Sequence, residues 1–255
     1  MPSYFDLGEH TRAVTTASDD AQLWFDLGLN WTFGFNHEEA VRCFERAIEA
    51  DPGCAMAYWG VAYANGPNYN KPWEAFDEVD FAASLTVCFA ATERARALMG
   101  SATPAEQSLI AALQARYPTQ EPSPDWSIWN DNYADAMRAV YQAYADDLDV
   151  ASLFAEALIN RTPWQLWDLP AARPAEGAST VEAQAVLERA LADPASSAHP
   201  GVLHMYIHLM EMSPHPERAL PASDLLRGLV PDAGHLQHMP THIDVLCGHY
   251  HNVVA

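Results

Sequence analysis

Apolar residues recur at intervals of three and four along almost the whole chain, and no run alternates apolar and polar in the β-branched manner of a strand. The pattern predicts an all-α protein. In "TPAEQSLIAALQARY", Thr103 is a cap, Pro104 suits the first turn and Glu106 completes a capping box. "NYADAMRAVYQAYADD" lines up Tyr133, Met137, Val140, Tyr141 and Tyr144 as a stripe that reads as core packing. "TPWQLWDLPAARPAEGAST", residues 162–180, is the main irregular stretch. It is expected to connect an N-terminal helical group, residues 1–161, to a C-terminal one, residues 181–255.

The helices repeat. "LWFDLGLNWTFGFNHEEAVRCFERAIEADP" carries Trp24, Leu27, Gly28, Trp31, Ala40, Phe44, Ala47 and Pro52. These follow the tetratricopeptide pattern W-x2-L-G-x2-Y, A-x3-F, P, with Trp31 in the tyrosine place. Small Gly28 and Ala40 let two antiparallel helices approach, and the large residues fill the space between them. "AMAYWGVAYANG" begins a second unit. Near the C-terminus, Ala219 and Pro231 stand twelve apart, as Ala40 and Pro52 do, and "HIDVLCGHY" resembles the end of another first helix. The expected architecture is one α-solenoid of antiparallel helix pairs. The last residues, "HYHNVVA", fall just after a first helix. A half-repeat cannot bury its apolar face alone, so the solenoid is expected to be cut short or covered some other way.

Composition narrows the partners. The chain has 255 residues, 49% of them hydrophobic, enough for a sizeable core. The net charge is −21 and Lys71 is the sole lysine. Such a chain repels phosphate backbones and anionic membranes, so no nucleic acid and no membrane is expected as partner. No apolar run is long enough to span a bilayer, and the N-terminus lacks the basic and apolar regions of a signal peptide. Cys43, Cys54, Cys88 and Cys247 have no close-pair spacing and read as reduced core thiols of a cytoplasmic protein.

The candidate chemistry is histidine. In "HPGVLHMYIHLMEMSPHPERAL", His204 and His208 are four apart on an apolar helix, hence on one face. His238 follows His204 by 34 residues, and His242 follows His208 by the same interval. That is one repeat period, which places both pairs on the inner faces of neighbouring first helices, about 8–10 Å apart. Gly201 stands one period before His235 and leaves space beside a fifth imidazole. Four facing imidazoles have donors and acceptors to satisfy, and a metal ion resolves this. The expected ligands are His204, His208, His238 and His242, with His235 a possible fifth. Glu211 is a further ligand, a partner that orients one, or a general base. Pro240 is expected to kink or restart the second histidine helix, which would leave His235 and His238 on an extended lead-in. An imidazole shell suits copper or iron, for redox or oxygen chemistry on a small organic substrate, and also zinc, for hydrolysis.

Other residues are secondary. In "GFNHEEA", Asn36 caps a helix and Glu39 closes a capping box, while His37 either belongs to that cap or faces the groove. Asn68 in "GPNYN" offers an amide to the same groove, and Trp59 and Tyr63 fall on the concave face of the second unit. His199 and His215 sit at helix starts, His249 and His251 near the chain end, and His10 has no context.

"GFNHEEAVRCFERAIEADPGCAMAYWG", "GPNYN", "HPGVLHMYIHLME", "SPHPERALPASDLL" and "AGHLQHMPTHI" together resemble a group of bacterial tetratricopeptide-repeat proteins, over most of the chain. The resemblance implies the solenoid and leaves the reaction open. Many such domains bind peptides, and one class clamps a C-terminal carboxylate with Lys, Arg and Asn on the concave face. Here the matching face carries histidines and lysine is nearly absent. A protein-interaction module is the alternative to the enzyme.

Overall fold

A computed structural model describes residues 5–123 and 126–254, and among them the protein is all-α: twelve α-helices and one two-stranded ribbon. They group into two compact units, residues 11–144 and residues 1–10 with 145–255. The irregular stretch 162–180 therefore lies inside the second unit, where β1 (Trp167–Asp168) and β2 (Arg173–Pro174) pair antiparallel.

The first unit holds α1 (Asp19–Phe33), α2 (His37–Ala50), α3 (Ala55–Asn65), α4 (Glu78–Leu98), α5 (Pro104–Arg116) and α6 (Ser127–Ala143). Local signals set their ends. The Asn36 side chain caps α2, and Thr103 with Glu106 forms the expected capping box on α5. Glu39 is drawn into an ion pair with Arg42. The packing of α1, α2 and α3 turns on Phe44, fully buried on α2. A Cβ on Gly28 of α1 would come within 2.7 Å of that ring, and one on Gly60 of α3 within 2.5 Å. Two glycines thus let two helices close on one phenyl ring. Tyr133, Met137 and Val140 of the predicted stripe are buried on α6.

The second unit holds α7 (Leu148–Ile159), α8 (Thr180–Leu191), α9 (Pro200–Met210), α10 (Leu220–Leu226), α11 (Gly234–Cys247) and α12 (Tyr250–Val254). Every residue of α9 is buried, and it packs on α7, α8, α10 and α11. The N-terminal segment is fastened to this unit: Asp6 N–H donates to the Asp232 carboxylate at 2.6 Å and Asp232 N–H to the Asp6 carbonyl at 3.0 Å. Gly8 follows with φ +74°, its α-carbon facing the Leu229 carbonyl so closely that a Cβ would come within 2.4 Å of that oxygen.

Helix α11 corrects one expectation. Pro240 neither breaks nor restarts it: the helix runs from Gly234 to Cys247 with the proline inside. Proline removes one intrahelical donor, and burial of Leu236, Met239, Pro240 and Ile243 on one side holds the helix together across that gap. His235, His238 and His242 are thereby on one continuous helix at i, i+3 and i+7, along a single face. All four cysteines are free thiols, three of them buried. Among the described residues, no helix is long and apolar enough to cross a membrane.

Candidate metal centre

Helix α9 begins after His199, whose Nδ1 accepts the Val202 N–H, with Pro200 in the first turn. The helix then carries His204 and His208 on one face, 0% and 1% exposed. Their ring centroids are 4.5 Å apart. Across from them, His235 of α11 brings its Nε2 to 3.0 Å from His204 Nε2. One ring nitrogen from each of His204, His208 and His235 lies within 4.8 Å of the other two, a group that could hold a metal ion. Two ligands at about 2.1 Å from one ion are separated by about 3.0 Å at a right angle and about 3.4 Å at the tetrahedral angle. The His204–His235 spacing fits that range as it stands.

Glu211 follows the last residue of α9, at the helix end that disfavours a carboxylate. Two imidazoles hold it there. His208 Nδ1 donates to Oε1 at 2.8 Å, and His242 Nδ1 makes a short hydrogen bond to Oε2. Burial pushes the Glu211 carboxyl up, but the hydrogen bonds and charges of His208 and His242 outweigh it and bring it down to about 2. With Nδ1–H committed to the carboxylate, each ring presents its Nε2 lone pair, the arrangement that orients imidazole ligands behind metal ions. Burial lowers His208 against the pull of Glu211. Burial and the charges of His208, His238 and His242 take His235 down to about 4, which keeps it neutral at pH 7 and ready to ligate. The bond to Glu211 raises His242.

The partners reveal the register. His204 meets His235 and Glu211 meets His242, both 31 residues apart. A constant offset means that α9 and α11 run parallel. The offset is 31 where the repeat period predicted 34, a slip of nearly one helical turn. As a result His235, the possible fifth ligand, joins His204 and His208. His238 and His242 instead face each other, Nε2 to Nε2 at 2.8 Å, with His238 exposed. Trp164 stands edge-on to His208, ring centroids 6.3 Å apart.

A second group escaped sequence reasoning. His10 Nε2 and His199 Nε2 both contact Asp149 Oδ1, at 3.0 and 3.1 Å. No local signal marks it, since His10 and Asp149 are 139 residues apart. These atoms also lie close enough to hold a metal. However, the His199 Nδ1 lone pair is used on the Val202 N–H, so the neutral ring carries its proton on Nε2, where a metal needs a lone pair. The tautomer that caps α9 makes this group a fastening of the N-terminal segment to α7 and α9.

The remaining candidates belong to the first unit. His37 Nδ1 meets Asn68 Nδ2 at 3.2 Å, and both line a cavity of about 480 Å³ with Asn65, Lys71 and Asp80. Trp59 and Tyr63 are core residues, each 1% exposed, with rings stacked at 5.1 Å. Burial, then the charge of Arg116, lowers His37 to about 4 from 6.5. Between those values the unfolded chain takes up a proton at this residue and the folded one does not, so stability falls as pH drops. Urea titrations of metal-free protein are expected to show that His37→Gln removes up to about 3 kcal/mol of the loss between pH 7 and pH 4. An unchanged acid limb would show that His37 titrates normally.

No family model matches the chain, no curated protein matches it, and no solved structure matches it.

Proposed function

We propose that the chain is a metal-dependent enzyme whose ion is held by His204, His208 and His235 on a tetratricopeptide-like helical scaffold. The observation that carries the reading is the convergence of three imidazole nitrogens from two helices, one of them fixed from behind by a buried carboxylate. Three protein ligands that leave other positions open distinguish catalytic from closed structural sites. The parallel α9 and α11 and the Gly28–Phe44–Gly60 packing support the repeat scaffold.

An imidazole donor set suits copper or iron, which would supply one-electron and oxygen chemistry on a small organic substrate; zinc would supply an activated water. Both Glu211 oxygens are occupied by imidazole N–H groups, so Glu211 orients ligands and is not placed as a base for hydrolysis. This favours the redox reading. Buried α9 keeps water from the back of the site, and half-buried His235 leaves an approach from the front. Trp164, 44% exposed, sits beside His208 with φ +62°, a backbone region that strains a tryptophan by about 1–2 kcal/mol. We assign it to contact with the substrate.

Elemental analysis of purified protein tests the reading. Near-stoichiometric copper, iron or zinc is expected in the wild type and not in His204→Ala/His235→Ala. Absence of metal from both, even after reconstitution, would make the histidines a polar groove and turn attention to a protein partner.

A further inference from the structure

Five histidines and Glu211 lie along α9, at its end and on α11, and the histidines fall into two sets. His204, His208 and His235 form one group whose ligand atoms lie within 4.8 Å of one another, and neither His238 nor His242 belongs to it. Those two meet each other, Nε2 to Nε2.

We propose that His238 and His242 hold a second divalent metal ion, next to the one held by His204, His208 and His235. Their Nε2 atoms are 2.8 Å apart, within reach of a common ion after a small opening, and the i, i+4 spacing on α11 keeps both rings on one side. His242 is set for the task by the same device as His208. Its Nδ1 proton goes to Glu211, and its Nε2 lone pair points to His238. His238 has Thr241 Oγ1 3.4 Å from its Nδ1, a hydroxyl placed to accept the proton of the metal-binding tautomer.

Glu211 thus joins the two positions. One carboxylate oxygen takes a proton from a ligand of the first ion and the other from a ligand of the second. The positions differ in character. The first has three imidazoles, two of them on the fully buried α9; the second has two, and His238 is exposed. The second ion therefore binds more weakly, exchanges with solvent, and completes its coordination with water or with a donor atom of the substrate. The ligand class is a divalent ion that favours imidazole: copper, iron, cobalt or zinc.

The inference rests on the three-histidine reading for its tight site, and titration of metal-free protein with Co2+, followed by absorbance and by competition with a chelating dye, separates the two. Wild type is expected to bind two equivalents, the second at least about tenfold more weakly, as fewer ligands imply. His238→Ala/His242→Ala is expected to keep the tight equivalent and lose the weak one. His238→Asn, at an exposed position, gives the same loss where the double variant folds poorly. His204→Ala/His235→Ala is expected to keep only the weak one. A single wild-type equivalent that persists in His238→Ala/His242→Ala, or a weak one that survives in both α11 variants, overturns the second site. A missing tight equivalent with a weak one lost in His238→Ala/His242→Ala overturns the three-histidine reading and leaves the second site standing.

Discussion

Glu211→Gln is expected to weaken metal binding about ten- to hundredfold while the protein stays folded, the range typical for groups that orient metal-bound histidines. The carboxylate accepts a proton from His208 and another from His242. A glutamine of the same shape can accept only one. Its amide nitrogen donates, so the imidazole facing it must offer a lone pair at Nδ1 and carry its proton on Nε2. That ring then meets the metal with N–H in place of a lone pair. The loss comes from an inverted tautomer, with no cavity and little change of volume. Glu211→Ala differs, because it strands two imidazole donors, His208 fully buried and His242 half-buried. Each unsatisfied donor costs about 1–3 kcal/mol, so the metal-free alanine variant is expected to lose about 2–5 kcal/mol. The carboxylate is also depressed to about 2, so its stabilising share is complete above its unfolded value of 4.5 and is lost as pH falls towards 2. Calorimetric metal titration and urea unfolding of both variants check the pair of expectations. Glutamine binding metal as tightly as glutamate would show that the tautomers of His208 and His242 do not govern the site.

Phe44→Ala is expected to cost about 3–5 kcal/mol of unfolding free energy, the upper range for a buried aromatic. The ring is fully buried against Phe25, with centroids 5.5 Å apart, and it fills the space that Gly28 and Gly60 leave. Because two backbones close on it, neighbouring side chains have little to relax into the cavity. The converse variant tests the same contact from the other side. Gly60→Ala gains about 1 kcal/mol of helix propensity but forces a methyl into the ring, at a cost of about 1–3 kcal/mol. In Phe44→Leu that clash is relieved, so the two substitutions are expected to be non-additive in urea unfolding. Strict additivity would mean that the ring is not what Gly60 accommodates.

The sequence by itself determined that this chain is helical, where several helices are capped, and which helix carries buried imidazoles. These properties are set within a few residues: the spacing of apolar positions, Asn36 and Thr103 at helix starts, and His204 and His208 four apart amid leucine, valine and isoleucine. The 34-residue spacing of its histidines also predicted that α9 and α11 would be neighbours, and they are in contact. It could not fix their register, because His235, His238 and His242 share one face of α11 and any of them could meet α9. Packing chose an offset of 31, which drew His235 into the buried group, set Glu211 between His208 and His242, and left His238 at the surface. It also decided that Pro240 lies within a continuous helix, because the apolar side of α11 is buried on both sides of it. The union of His10, Asp149 and His199 was not legible at all, since nothing local links residues so far apart, and only the folded N-terminal segment brings them together. A slip of one turn leaves a helix equally helical and equally buried, but it changes which nitrogens meet. That is why the site's composition belongs to the tertiary structure.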